Sequence, residues 1–336
     1  MSKSKKNKLH DSITAEVVLP AVPEPIGLKS TDSLVEGAHK LLKYYFTIMI
    51  NHELGTRMGV DPEELHDMRV CSRRLRAVFD VFGAGFDAKA IRKQQKGLRL
   101  TGRALGNVRD WDVFMLKAHE DIALLPQTDQ IMLQPLLQDW QTQHQLARQK
   151  LIDFLDCNQF IQFKTEFGLF AQDPTAGALK PSTSYFEGHL LPNNTILRDL
   201  APCLLYTRLA NIRAFESVIP TSVEEVGQAK MAYLHAFRIE VKRLHYSLDF
   251  LKEILGQEGR ILLKVVKSLQ DHLGDLHDAD VACLSLEKIP STPAIQTYIE
   301  LKRQQRNSLL AGFPSAWQIF NTAENRALLS RSILSL

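Results

Sequence analysis

The sequence predicts an all-α protein made of two related helical bundles, and three observations carry that reading. Apolar residues recur at three-and-four spacing, with almost no strand-like alternation, from Thr31 to about Phe170 and again from near Ile196. Two polar motifs in the first stretch return in the same order in the second, 168 to 169 residues later. The interval between them, from Gln172 to Asn194, turns to Pro, Gly, Ser, Thr and Asn, the composition of a connection.

Taken in chain order, residues 1–30 read as a flexible arm. Lys3, Lys5, Lys6 and Lys8 are followed by Pro20, Pro23 and Pro25, a composition that buries little and fixes no helix. The Lys cluster does not read as the start of a signal peptide, because His10, Asp11 and Glu16 interrupt the apolar stretch that should follow it. Residues 31–171 form the expected first bundle, in which Leu34, Ala38, Leu41, Leu42, Tyr45 and Met49 make one helical face. Asp61-Pro62-Glu63-Glu64 reads as a helix start: an N-cap acid, Pro in the first turn and two carboxylates at the positive end of the dipole. Residues 172–195 are the expected linker and 196–334 the second bundle.

Composition bounds the function. With 336 residues, 45% of them hydrophobic, the chain can bury a substantial core. Its formal net charge of +3 excludes a histone-like coat, so any charge-driven function is local. Cys71, Cys157, Cys203 and Cys283 have no CxxC spacing, which gives no zinc site and no disulfide framework and favours a reducing compartment. The longest apolar run, from Tyr44 to Ile50, falls far short of the ~18 residues a bilayer requires. A soluble, cytoplasmic protein with no membrane partner is expected.

The first repeated motif reads His66-x-x-Arg69-x-x-x-Arg73-Arg74-Leu75-Arg76 in one half and His235-x-x-Arg238-x-x-x-Lys242-Arg243-Leu244-His245 in the other. The second motif runs from Leu105 to Val113 and is echoed from Leu273 to Val281. On a helical wheel His66, Arg69, Arg73 and Arg76 fall within about 80°, while Cys71, Leu75, Phe79 and Phe82 share another side. Arg92, Lys96, Arg99 and Arg103 occupy an even narrower arc on the following helix, so two neighbouring helices each present a cationic row. Between His66 and Asp112 eleven Lys/Arg face five Asp/Glu. Such a concentration is self-repulsive until an anion neutralises it, and the Arg fork suits phosphate oxygens. One basic helix alone is ordinarily a solvated face; two aligned rows and a repeat favour anion binding.

The second copy keeps the geometry with less charge. His235, Arg238, Lys242 and His245 reproduce the stripe, and Arg260, Lys264 and Lys267 match Arg92, Lys96 and Arg99, but Asp271 replaces Arg103. Seven Lys/Arg face eight Asp/Glu between His235 and Asp280, so the first copy is expected to supply more of the affinity. His66 and His235 either pack between helices or stay neutral among the arginines until phosphate arrives, in which case binding tightens as pH falls. Arg74 and Arg243 lie off the basic arc and are expected to pair with Asp110 or Asp278 at a helix junction. There Gly106 and Gly274 would end one helix in the left-handed conformation and the two carboxylates would cap the next.

The paired motifs, in this order and twice over, resemble the CHAD family, the conserved histidine α-helical domain, across roughly residues 31 to 334. The resemblance implies a pseudo-symmetric pair of helical bundles around a basic central cavity, and non-catalytic binding of inorganic polyphosphate with association with polyphosphate granules. Carried over by motif, it makes His66, Arg69, Arg73, Arg76, His235, Arg238 and Lys242 the principal polyphosphate-binding candidates. The basic rows add Arg92, Lys96, Arg99, Arg103, His245, Lys264 and Lys267. The sequence shows no Glu-x-Glu-x-Lys strand motif of the CYTH triphosphatase often fused to CHAD modules, so a stand-alone member without turnover or cofactor is expected. Two rivals are weaker. A metal-dependent phosphohydrolase would use His66-Asp67 and His277-Asp278, but neither pair survives in its sister copy. A nucleic-acid binder would exploit the same cations, but no recognised DNA- or RNA-binding motif and no aromatic ladder accompanies them.

Overall fold

The structure, a computed structural model, describes residues 25–180, 184–186, 189–191, 195–220, 225 and 231–336. Seven α-helices make up the first half: α1 (Leu34–Asn51), α2 (Glu53–Met58), α3 (Pro62–Phe82), α4 (Arg92–Ile122), α5 (Gln127–Met132), α6 (Gln134–Asp156) and α7 (Asn158–Gln172). A small antiparallel hairpin of β1 (Ser184–Phe186) and β2 (His189–Leu191) follows, the one sheet among the described residues. Then come α8 (Leu197–Arg213), α9 (Met231–Leu251), α10 (Gly256–Leu286), α11 (Pro293–Phe320) and α12 (Ala323–Leu334). The fold is all-α, as the apolar spacing predicts. Among the described residues no helix is long and apolar enough to cross a membrane.

Local chemistry starts the helices where the sequence reading places them. Ser33 and Glu36 form a reciprocal capping box at the head of α1, and every residue of its predicted apolar face is buried. Asp61 accepts the Glu63 N–H at 2.9 Å, and Pro62 opens α3 where a missing N–H costs nothing. Residues 1–24 of the expected arm lie outside the described residues. Residues 25–30 are tied to the second half: Leu28 is buried and its N–H reaches Glu253 Oε2 at 2.8 Å. The N–H of Leu197 donates to Asp32 O at 2.8 Å, and that of Arg198 to Ser30 O at 2.9 Å.

The two halves share one core. α3 packs on α1 and α4, α9 packs on α8 and α10, and α3 and α9 pack on each other across the halves. α3 and α9 each have 21 residues and α4 and α10 each have 31. The main apolar core runs without a break from Leu28 to Leu329 and includes Phe82, Phe237 and Phe250, all almost fully buried. Burial of such a ring contributes about 1.5–3 kcal/mol. A second, smaller core joins the far ends of α4 and α10 to α6 and α11 around Trp140, Leu286 and Tyr298.

Two expectations are corrected here. Gly106 and Gly274 end no helix, and Asp110 and Asp278 cap none: all four lie inside α4 or α10. A Cβ at Gly106 would meet Arg69 Nε at 3.6 Å, an ordinary contact distance, so the helix tolerates this position without a special use for glycine. Nor do Arg74 and Arg243 pair with those aspartates. Arg74 crosses to the other half, donating to Tyr45 Oη at 2.6 Å and to Asp249 Oδ2 at 2.7 Å, while Arg243 pairs with Glu240. Arg243 also acts electrostatically on Asp80 of the first half. Each Arg therefore faces the aspartate of the opposite half.

Candidate functional site

The seam between α3 and α9 gathers six of the predicted residues. His66, Arg69 and Arg73 come from α3, and His235, Arg238 and Lys242 from α9. The charge of Arg73 is felt by His66, Arg69, Arg238 and Lys242 alike. α4 contributes Arg109 and Asp110, and α10 contributes His277 and Asp278. The rings of His235 and His277 lie 4.9 Å apart between centroids. Sequence reasoning left Arg109 and His277 off the site, although they occupy one repeat position in the aligned second motif. A cationic or titratable residue retained at that position in both copies was the signal.

Carboxylates neutralise only part of this charge. Arg69 Nη2 meets Asp110 at 3.0 Å, Arg109 reaches Glu63 at 3.6 Å, and Asp278 is approached by Lys117 of α4 at 3.8 Å. Arg73, Arg238 and Lys242 have no ion-pair partner among the described residues, and the Nε atoms of both arginines, with Nδ1 of His66, are buried without a hydrogen bond there. Each such unpaired group costs about 1–3 kcal/mol.

The electrostatic consequence is largest at Lys242. Burial first, then Arg238, Arg73 and Arg69, draw its ammonium down to about 8. Burial lowers Arg69 and Arg238 as well. His66 is held below its ordinary range by burial and by Arg109, and His277 by burial, Arg238 and His235. Every one of these shifts disfavours the charged form, with burial its first cause and neighbouring cations adding to it.

The remaining predicted residues lie elsewhere. Arg76 is a turn further along α3, beside Gly102 and Asp80. His245 is 9% exposed, packed against Tyr246, and burial drives its imidazole down to about 4. On α4, Gly102 and Gly106 face Arg76 and Arg69, and the row of Arg92, Lys96, Arg99 and Arg103 is turned roughly 75° from them by the helical period. Arg92 and Arg99 are exposed, Lys96 lines a small pocket against α7, and Arg103 lines a larger cavity. In α10, Lys264 is exposed and Lys267 is paired to Asp271 at 2.6 Å. That cavity, about 790 Å³, is walled mainly by apolar side chains of α4, α6 and α10, so it is not the basic cavity expected. It adjoins the cationic seam through Asp110, the partner of Arg69. Among the described residues no three His, Cys, Asp or Glu side chains converge as metal ligands.

Both motifs and the seam they build fall within residues 40–287, which match the CHAD domain. The chain belongs to the CHAD domain family. Two solved structures share its fold. PptA from Streptomyces chartreusis superposes with a TM-score of 0.64 at 13% identity, covering 85% of this chain and 100% of PptA. The CHAD domain from the plant Ricinus communis superposes with a TM-score of 0.59 at 20% identity, covering 94% of this chain and 97% of that one. No curated protein matches the sequence. Within this CHAD fold the motif histidines and the stripe cations of α3 and α9 occupy the junction of the two halves.

Proposed function

We propose that this CHAD chain binds inorganic polyphosphate non-covalently at the α3–α9 seam, without turnover, and that this binding takes it to polyphosphate granules. The observation that carries the reading is the trio of Arg73, Arg238 and Lys242, brought together from both halves with no carboxylate partner among the described residues. A linear polymer with one negative charge per phosphate supplies closely spaced oxygens to several cations at once. The guanidinium forks donate paired hydrogen bonds to them, and Lys242 regains a full proton. The counterions released on both sides provide the driving force.

Titration of the purified chain with sized polyphosphate at two salt concentrations tests this. Four neutralised phosphates predict a logarithmic salt slope of about −3, on the scale of a flexible single-stranded polyanion. Arg69→Glu/Arg73→Glu is expected to abolish measurable binding while the melting temperature of the chain is kept. Salt-independent binding, or binding indifferent to that double substitution, would refute the assignment. Displacement of bound polyphosphate by DNA as effectively as by polyphosphate itself would move the site to the nucleic-acid reading.

A further inference from the structure

The apolar cavity beside the seam is built as a separate site. Its inner end is aromatic: Trp111 and Phe114 meet edge to face at 5.8 Å, and Phe114 meets Trp140 in the same way at 4.6 Å. Its other end carries Arg103 from α4 and Lys150 from α6, both exposed and neither with an ion-pair partner among the described residues. Asp110 also borders the cavity, but its carboxylate is engaged by Arg69 at 3.0 Å.

Helix register places the two cations together. The contacts of Asp112 with His144 at 2.7 Å and of Phe114 with Trp140 at 4.6 Å together set α4 and α6 antiparallel, so that Arg103 stands opposite the turn of α6 that follows Lys150. From Arg103 to Trp111 and Phe114 the helix rises about 12 to 16 Å. The two cations thus stand at one end of a mainly apolar cavity, beside Leu151 and Phe154, and the aromatic cluster at the other, beside Asp110. A volume of about 790 Å³ is ample for a small ligand. Polyphosphate would find few donors on such walls. A partner helix would leave two neighbouring cations unneutralised.

We propose that this cavity binds a single-chain amphipathic carboxylate, a medium-chain fatty acid. Its carboxylate would lie between Arg103 and Lys150, and its alkyl chain would run toward Trp111, Phe114 and Trp140. An extended chain advances about 1.3 Å per carbon, so about ten to twelve carbons span the cavity. The driving force divides accordingly: apolar burial against the aromatic walls supplies affinity, and the paired cations fix the orientation and reject a ligand of opposite charge.

Calorimetric titration of the full chain with dodecanoate below its micelle concentration tests the assignment, with dodecylammonium as the charge control. Dodecanoate is expected to bind one per chain and to change the emission of Trp111 and Trp140. Dodecylammonium is expected to bind about tenfold or more weakly, the worth of one charge-assisted hydrogen bond. Arg103→Gln/Lys150→Gln is expected to erase that difference. Leu146→Glu, at a cavity residue 51% exposed, is expected to weaken dodecanoate binding by a similar factor by setting a like charge on the wall. Both variants alter exposed positions, and an unchanged melting temperature checks their fold. No binding of dodecanoate, equal binding of the two amphiphiles, or an affinity unmoved by either variant would overturn the proposal. Self-association of the chain abolished by Leu146→Glu, without dodecanoate binding, would overturn it too, by giving the cavity to a second copy. None of these titrations contains polyphosphate, so their outcome is independent of the seam.

Discussion

Arg74 and Arg243 hold the same place in the two copies of one motif, yet the first is half-buried against the opposite half and the second stands at the surface. Arg74 is 26% exposed and its partner Asp249 only 8%, with Tyr45 completing the contact. Arg243 is 49% exposed and spends its charge on Glu240, three residues away on its own helix. The stripes diverge similarly at their ends, where Arg76 remains beside Asp80 and its counterpart His245 is sealed into the core. The comparison teaches that formal charge is a poor guide to where free cations lie. The segment from His235 to Asp280 is acidic by count, yet two of the three unpartnered cations of the seam, Arg238 and Lys242, belong to it.

The sharpest way to break the comparison is to remove each arginine in turn. Arg74→Ala strands Asp249 in the core with only Lys252, at 3.0 Å, as a substitute. A loss of about 3 kcal/mol in folding stability is expected, at the lower end for a buried pair that loses one partner. Arg243→Ala is expected to cost under about 1 kcal/mol, as for other exposed pairs. Urea denaturation of both variants measures the gap; equal losses would mean that the two positions are equivalent after all.

Next in size is the effect on polyphosphate affinity. Arg73→Glu is expected to weaken binding more than Lys242→Glu, because the guanidinium keeps its charge at every working pH and can grip two oxygens together. Fluorescence titrations of the two variants at one salt concentration decide it, and equal losses would contradict the asymmetry between halves.

A smaller effect follows from the pH response of Lys242. Its folded value of about 8 lies below the 10.5 of the unfolded chain, so between those values the unfolded state binds more protons. The empty protein is therefore expected to gain stability as pH rises through that window. Polyphosphate restores the ammonium, so binding takes up a proton, and affinity is expected to fall above pH 8 by at most about tenfold per pH unit. Lys242→Arg is expected to flatten this decline. The smallest expected effect lies on the acid side: His66, already lowered, gains a proton when the anion arrives, so affinity is expected to rise as pH drops below 6.5. His66→Gln is expected to remove part of that rise without altering the alkaline limb.

Much of this was readable from residue order. The face of α1, the Asp61 cap and the cationic stripes of α3 and α9 all follow from spacing, since helical periodicity and capping are local properties. What escaped was set by packing. The Leu-Gly pairs at Gly106 and Gly274 look like helix ends in the sequence, yet the long helices α4 and α10 run straight through them because tertiary packing outweighs the small helix cost of one glycine. The row from Arg92 to Arg103 was correctly placed on one face of one helix, but its rotation relative to α3 depends on contacts such as Gly97 against Phe163, which sequence order does not express. Arg109 and His277 were in plain view at aligned positions and required only that the second motif be read for charge as well as for turns.

The unbroken hydrophobic interior from Leu28 to Leu329 carries its own thermodynamic corollary. Both repeats contribute to it, so heating is expected to produce one cooperative transition in which seam and scaffold vanish together. A fragment severed within the hairpin segment would forfeit Arg73 or Lys242 along with the partner that holds it in place.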